Sequence, residues 1–260
     1  MKKLKFLGAV AMATVLLTSC LDGGKNEQNF PAYGVLSYES KFSKNMFFTA
    51  DEVAYNVPTL ANDPNFIGDS ECLFIPSLYI NLDGQENANA ASNGYYTATA
   101  PSGYTKLDKY SIIPSLTDTI KPLDNELVLK DVAQGGYNKI KNFLFLSLTY
   151  PTVVNDQKNR FELSYNYNQE PVVVDSKRVY DFFIRVVKIE DGKGATLQNA
   201  TQVVAFDGRN EFSRLLNIEK ASNAESLNLR LNYVKEFDKD TTRITSWGTE
   251  IIKFAIPKES

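Results

Sequence analysis

The stretch Ser226-Leu227-Asn228-Leu229-Arg230-Leu231-Asn232-Tyr233-Val234-Lys235 decides the fold class. Leu227, Leu229, Leu231 and Tyr233 alternate with Asn228, Arg230 and Asn232. A period of two puts each set on its own face of a β-strand, so this strand is predicted to have one dry and one wet face in an antiparallel sheet. Residues 160–168 repeat the pattern, with Phe161, Leu163, Tyr165 and Tyr167 set against Glu162, Ser164 and Asn166. Both tyrosines are therefore expected in the core. Residues 179–189 are apolar on both faces, as in a central strand, and Asp181 and Arg185 stand out as charges on one face, with Phe183 between them. A structural ion pair or an edge-facing charge is the expected role for these two.

Working outward, further strands are predicted over 32–38, 46–49, 71–82, 95–99, 126–129, 140–149, 202–206 and 249–256. Asp83-Gly84, Asn93-Gly94, Gly135-Gly136, Asp191-Gly192 and Asp207-Gly208 supply turn chemistry between them. At most one short helix is expected, over 210–217. Many short strands joined by turns indicate an all-β chain of barrel or sandwich type. A boundary is placed near Gln134-Gly135-Gly136. The expectation is a small OB-like or irregular β-barrel over residues 32–135 followed by an antiparallel β-sandwich over residues 136–260. The long loops of the first part, 56–70, 85–93 and 101–103, are where binding residues commonly sit.

Ahead of this region, Met1-Lys2-Lys3-Leu4-Lys5 is cationic, and residues 6–17 are an apolar run too short to span a bilayer. The run closes on Leu17-Thr18-Ser19-Cys20, which resembles the bacterial lipobox. Residues 1–19 therefore read as a lipoprotein signal peptide and Cys20 as the lipidated N-terminus, attaching the protein to a membrane through lipid alone. Residues 20–31 read as a flexible tether. Leu21, in place of an aspartate, favours the outer membrane. Loss of Lys2, Lys3 and Lys5 with the leader takes the 28 basic side chains to 25 against 31 acidic ones, a net charge of −6, which argues against nucleic acid as a partner. With Cys20 lipidated, Cys72 is expected as a buried structural thiol.

The chain contains no histidine. This excludes Ser-His-Asp and Cys-His hydrolases and the His-containing zinc-hydrolase patterns. No phosphate-binding glycine loop or dinucleotide fingerprint is present, so no cofactor and no metal site is expected. Asp69 with Glu71, or Asp181, are the only candidates for carboxylate catalysis, and solvated or ion-paired roles are favoured for them. Residues 83–87 have oxygens enough for a calcium loop but not the EF-hand order, and read as a turn. A non-enzymatic protein is the expectation.

The favoured reading is a non-catalytic envelope lipoprotein that binds or scaffolds at the outer membrane. The alternative is a carbohydrate-binding accessory lipoprotein of a glycan-uptake system, sugar being the leading ligand hypothesis because exposed aromatic faces stack on sugar rings. Tyr95, Tyr96 and Trp247 are the candidate platform residues, with Tyr165 and Tyr167 weighed beside them. A glycan or an envelope protein is the expected partner. The lipobox leader, the short tether, Gly68-Asp69-Ser70-Glu71-Cys72 before a strand, and Thr245-Ser246-Trp247 before a last strand together resemble the NigD-like lipoproteins of Bacteroidota. That resemblance implies an OB-like barrel followed by a β-sandwich and no established activity. A fimbrillin-like adhesive subunit is a further alternative. Maturation by cleavage after an early arginine would be needed for it, and the first arginine is Arg160.

Overall fold

A computed structural model of the 260-residue chain describes residues 26–66, 69–153, 157–193 and 196–256. The leader, Cys20 and the first half of the tether, to residue 25, lie outside the described residues. The chain is mostly β and divides into two compact units, Met1–Lys109 and Tyr110–Ser260.

The first unit contains β1 (Glu27–Glu39), β2 (Lys44–Phe48), β3 (Ala54–Asn56), α1 (Pro58–Ala61), β4 (Glu71–Asn81), α2 (Ala90–Asn93), β5 (Tyr96–Thr97) and β6 (Thr105–Lys106). Its sheet runs in the order β5-β3-β2-β1-β4-β6. Just after β5, Thr99 exchanges two backbone hydrogen bonds of 2.9 Å with Tyr79 of β4, which brings the ends of the path together and nearly closes a barrel. Closure needs a long, bent first strand. β1 supplies it, with a register shift between Phe30 and Ala32, where Pro31 has no N–H to give to the ladder. Gly34 permits the tight curvature: a Cβ there would sit 2.2 Å from the Phe48 carbonyl and 2.4 Å from the Phe47 ring. Leu36, Phe47, Leu73, Ile75 and Leu78 fill the interior. Because β1 begins at Glu27, residues 27–31 belong to the fold, and the expected tether is shorter by that length.

The second unit contains β7 (Lys109–Ile113), β8 (Glu126–Leu127), β9 (Asp131–Ile140), β10 (Phe143–Val153), β11 (Lys158–Ser164), β12 (Val172–Val174), β13 (Lys177–Glu190), β14 (Leu197–Asp207), α3 (Arg209–Ala221), β15 (Ser226–Phe237) and β16 (Ile244–Ala255). Eight strands run β16-β15-β13-β11-β7-β14-β10-β9, and β8 and β12 pair with β13. One core, drawn from β10, β11, β13, β14, β15 and α3, lies within this sheet.

Three expectations change here. The division falls at Lys109/Tyr110 rather than near residue 135, because β7 pairs with β11 and β8 with β13, which hands residues 110–134 to the second unit. Gly135-Gly136 does not reverse the chain; it runs within β9 beside a register shift opposite Leu146/Leu148, and the reversal comes after Ile140, with Lys141 at φ 55°. The sheet is mixed rather than purely antiparallel: β15 runs parallel to β13, Tyr180 opposite Leu229, and β11 runs parallel to β7. A parallel neighbour needs a long crossover. Here it is β14 plus α3, a 13-residue helix longer than the one expected at 210–217.

The opening stretch, β15, buries Leu227, Leu229, Leu231 and Tyr233 as its alternation predicts. Its polar face, however, is not wet. Asn228 and Asn232 are buried, Asn228 donates to the Arg178 carbonyl at 2.9 Å, and Asn232 donates to Asp181 Oδ1 at 2.8 Å. Lying between two strands, β15 has neighbours that satisfy these amides, so burial carries no unpaired-donor penalty.

Candidate functional site

The site is built where β11 ends. At Ser164 the strand stops pairing with β13, and the chain turns through Asn166, whose carbonyl accepts from Gln169 N–H at 3.0 Å and whose side chain accepts from Asn168 N–H. Tyr165 still points inward. It is fully buried, its backbone N–H donates to the Ile113 carbonyl, and its ring stacks on Phe182 at 4.8 Å and 12°. Tyr167 sits in the turn and leaves the period-two register, so it is 49% exposed and not in the core as expected.

Facing the two tyrosines is the first half of α3. Phe212 and Leu215 bury its inner face, and Glu219, fully buried, accepts hydrogen bonds from Arg178 Nε at 3.0 Å and from Tyr180 Oη–H at 2.6 Å. Burial and the Glu219 carboxylate push the Tyr180 phenol up to about 12, so it stays a donor. The helix starts at Gly208, where a Cβ would meet the Phe212 ring at 2.2 Å. Gly208 offers no side-chain cap. Asp207 takes the Arg209 backbone N–H at 3.1 Å and grips its guanidinium at 2.6–3.0 Å.

Between these walls lies an open cleft of about 440 Å³ lined by Tyr165, Tyr167, Arg209, Asn210, Glu211, Ser213 and Arg214. The Arg214 guanidinium lies over Tyr167, 4.2 Å from the ring centroid, and 5.8 Å from that of Tyr165. Its Nε and Nη2 and the Tyr165 hydroxyl are shielded from solvent and make no hydrogen bond of good geometry, although Arg214 is near enough to that hydroxyl to act on it as a polar neighbour. Burial raises the Tyr165 pKa and nearby Arg214 only partly offsets it, so this hydroxyl too is a donor at neutral pH. A cation–π contact contributes about 0.5–2 kcal/mol. Shielded, unpaired donors cost about 1–3 kcal/mol each, more on a charged group. Arg214 is therefore not placed there by stability alone.

Among the described residues that line the cleft, Glu211 is the sole carboxylate. Among the described residues no group of three His, Cys, Asp or Glu side chains is placed to hold a metal ion, and no helix is long and apolar enough to cross a membrane.

The sequence-predicted residues lie elsewhere. Tyr95 is half-buried beneath Lys44, whose Nζ lies 4.3 Å from the ring centroid and donates to the hydroxyl at 3.2 Å, with Phe42 edge-on at 5.2 Å. Tyr96, in β5, tilts against Tyr55 and packs on the barrel core. Trp247, in β16, meets Phe183 edge-on at 5.2 Å and 89°. Tyr95 and Tyr96 belong to the first unit and Trp247 to the second, and none lines the cleft. Their rings are engaged by neighbours, which weakens each as a sugar platform.

The remaining candidates are structural. Asp181 does not pair with Arg185. Arg230 grips it at 2.6 and 2.7 Å, whereas Arg185 is buried against Glu126 at 2.6 and 2.5 Å. Glu71 faces Lys109 at 4.0 Å, and Cys72 is buried in the barrel. Asn87, in the loop with spare oxygens, spends its side chain on the backbone of Asn81 and Thr97. Sequence reasoning placed a helix over 210–217 but did not single out Arg214 or the first turn of α3 as a site; the spacing Phe212, Leu215, Leu216 and Glu219 was the available signal.

Residues 24–104 match the lipoprotein OB domain family. An uncharacterized protein from Parabacteroides merdae, known from a crystal structure, is 30% identical, with 88% of this chain and 100% of that one covered at a TM-score of 0.75. The fold is shared at lower identity by a Bacteroides fragilis protein described as a lipoprotein (11% identity, 90% and 100% covered, TM-score 0.51). It is also shared by a Parabacteroides distasonis protein described as toxin related (12% identity, 88% and 94% covered, TM-score 0.51). No curated protein matches the chain.

Proposed function

We propose, from the premise that the chain belongs to one family with the Parabacteroides merdae protein and carries the lipoprotein OB domain, that it is a lipid-anchored, non-catalytic binding protein of the outer membrane. Its ligand is a saccharide held by the second unit. The observation that carries the reading is the cleft between Tyr167 and α3. The Tyr167 ring is half-exposed, with the Arg214 guanidinium stacked over it, and Asn210 and Ser213 offer an amide and a hydroxyl. That combination suits a sugar ring and its hydroxyl groups.

Lipidation at Cys20 supplies the address, and the first unit stands between anchor and cleft along the chain. In this reading the layout is of the NigD-like kind, a barrel nearest the anchor and a second β unit after it. Leu21 supports the outer membrane as the destination. The absence of histidine and the lone Glu211 support binding over catalysis.

Two experiments test the proposal. Membrane fractionation with Cys20→Ser is expected to move the folded protein out of the membrane fraction; retention there, or processing of the natural chain that is insensitive to globomycin, would overturn the anchor. A glycan array probed with the Cys20→Ser protein is expected to show binding that Tyr167→Ala removes and Trp247→Ala leaves intact. An array without binding would overturn the saccharide reading.

A further inference from the structure

We infer that the cleft selects an acidic saccharide, with Arg214 and the start of α3 receiving its carboxylate and Tyr167 its ring. This rests on the saccharide-binding reading above and specifies the ligand class. Three observations converge on one wall of the cleft. Arg214 Nε and Nη2 are shielded and unpaired, so two donors of a planar cationic fork await an acceptor of matching geometry. The hydroxyl of fully buried Tyr165, also unpaired, lines the same cleft and is held in place by the stack on Phe182. The first turn of a 13-residue helix, whose N-cap Gly208 has no side chain to cap it, brings Asn210 and Glu211 to the same cleft. A carboxylate suits a wall of donors and a helix start, because it has two acceptor oxygens, a negative charge and no proton of its own to place.

The neighbouring charges sort in the same direction. Arg209 is committed to Asp207, so it adds little net charge at the rim. Glu211 is the opposing charge, and its position in the first helical turn ties it favourably to the helix dipole. It would also repel a polyanion. A single carboxylate on an otherwise neutral sugar is therefore the better fit, rather than a phosphate or sulfate carrying more charge. The guanidinium rests on Tyr167 meanwhile, and a ligand draws it from the ring into a two-point contact with the carboxylate.

The test is titration of the full chain, solubilised in detergent, with three probes: D-glucuronate, D-glucose and acetate. Glucuronate is expected to bind about ten-fold more tightly than glucose, and acetate more weakly than glucuronate. Arg214→Gln is expected to bring glucuronate down to the level of glucose, and Arg214→Lys, which keeps the charge and loses the fork, to leave an intermediate affinity. Tyr167→Ala should weaken both sugars alike. Equal affinity for glucose and glucuronate, or glucuronate binding unaffected by Arg214→Gln in a protein whose circular dichroism is unchanged, overturns the inference. Neutral sugars bound through Tyr167 but indifferent to Arg214 would do so while leaving the saccharide reading standing. Binding of neither sugar removes both. Acetate bound as tightly as glucuronate overturns the saccharide part.

Discussion

Arg185 and Arg214 lie in the same unit and are provided for in opposite ways. Around Arg185 every nitrogen is answered: Nε and Nη2 grip the two oxygens of Glu126, and the carbonyls of Asp118 and Lys121 accept from Nη1 and Nη2 at 2.7 and 3.0 Å. Around Arg214 two donors have no acceptor, and a tyrosine ring is the main neighbour. The first arrangement ties three stretches of the chain to β13. The second does no comparable structural work. A charge that is fully hydrogen-bonded in the interior belongs to the fold, while one left open at a cleft is available to a ligand.

The sharpest way to break this comparison is at Arg185. Glu126→Leu should destabilise the protein by about 3–5 kcal/mol, because it leaves an uncompensated buried guanidinium. Chemical denaturation would measure it. Combining Glu126→Leu with Arg185→Leu should recover a large part of that loss, since both charges are then gone from a buried site. A double variant as damaged as the single one would mean that the carbonyl contacts to residues 118 and 121, not the ion pair, hold the segment in place.

Next in size is the anchor of α3. Glu219→Gln should cost about 2 kcal/mol, because the charge-assisted bonds from Arg178 and Tyr180 become ordinary ones. The pH dependence follows from Tyr180. Its folded pKa is raised from 10.0 to about 12, so its contribution is complete below pH 10 and is lost as pH rises toward 12. Denaturation at pH 9 and pH 11 should therefore show a steeper alkaline loss in the natural protein than in Glu219→Gln. Equal slopes would separate the phenol from the helix anchor.

A smaller effect, on the opposite limb, is expected at Asp181. Burial pushes its carboxyl up, but hydrogen bonds from Arg230 and Asn232 outweigh this and hold it below the ordinary 3.8. Its stabilisation is present above that value and is lost as pH falls through the lower folded pKa. Asp181→Asn should lose roughly 1–2 kcal/mol at pH 7, and the gap to the natural protein should narrow on acidification. Thermal melts at pH 7 and pH 3 measure it.

How much of this was legible differs between the backbone and the charges. Alternation alone gave β15 its dry face, because Leu227, Leu229 and Leu231 meet a core whichever partners lie beside the strand. Alternation cannot report what covers the other face, and Asn228 and Asn232 turn out to be buried for reasons that lie on β13. The pairing of Asp181 with Arg185 was a local guess about a non-local fact: the true partners are 49 and 59 residues away. Tyr167 was misplaced because a period persists in sequence past the point where the ladder stops at Ser164. The cleft went unseen for both reasons together. It joins the end of one strand to the start of a helix more than forty residues later, and its decisive feature is two missing hydrogen bonds, which no pattern of residue types records.

The smallest expected effect is also the most discriminating. Arg214→Leu should change stability by less than about 1 kcal/mol, since the lost cation–π contact is offset by relief of the shielded, unpaired donors and by the apolar cover a leucine gives Tyr165. Set beside Glu126→Leu, it compares two guanidinium environments in one fold by a single measurement, the denaturation midpoint. A loss as large as that at Glu126 would make Arg214 a structural residue and end the contrast. A midpoint that stays level or rises would mean that the natural residue is kept at no gain to stability, as expected of a side chain retained for what it binds.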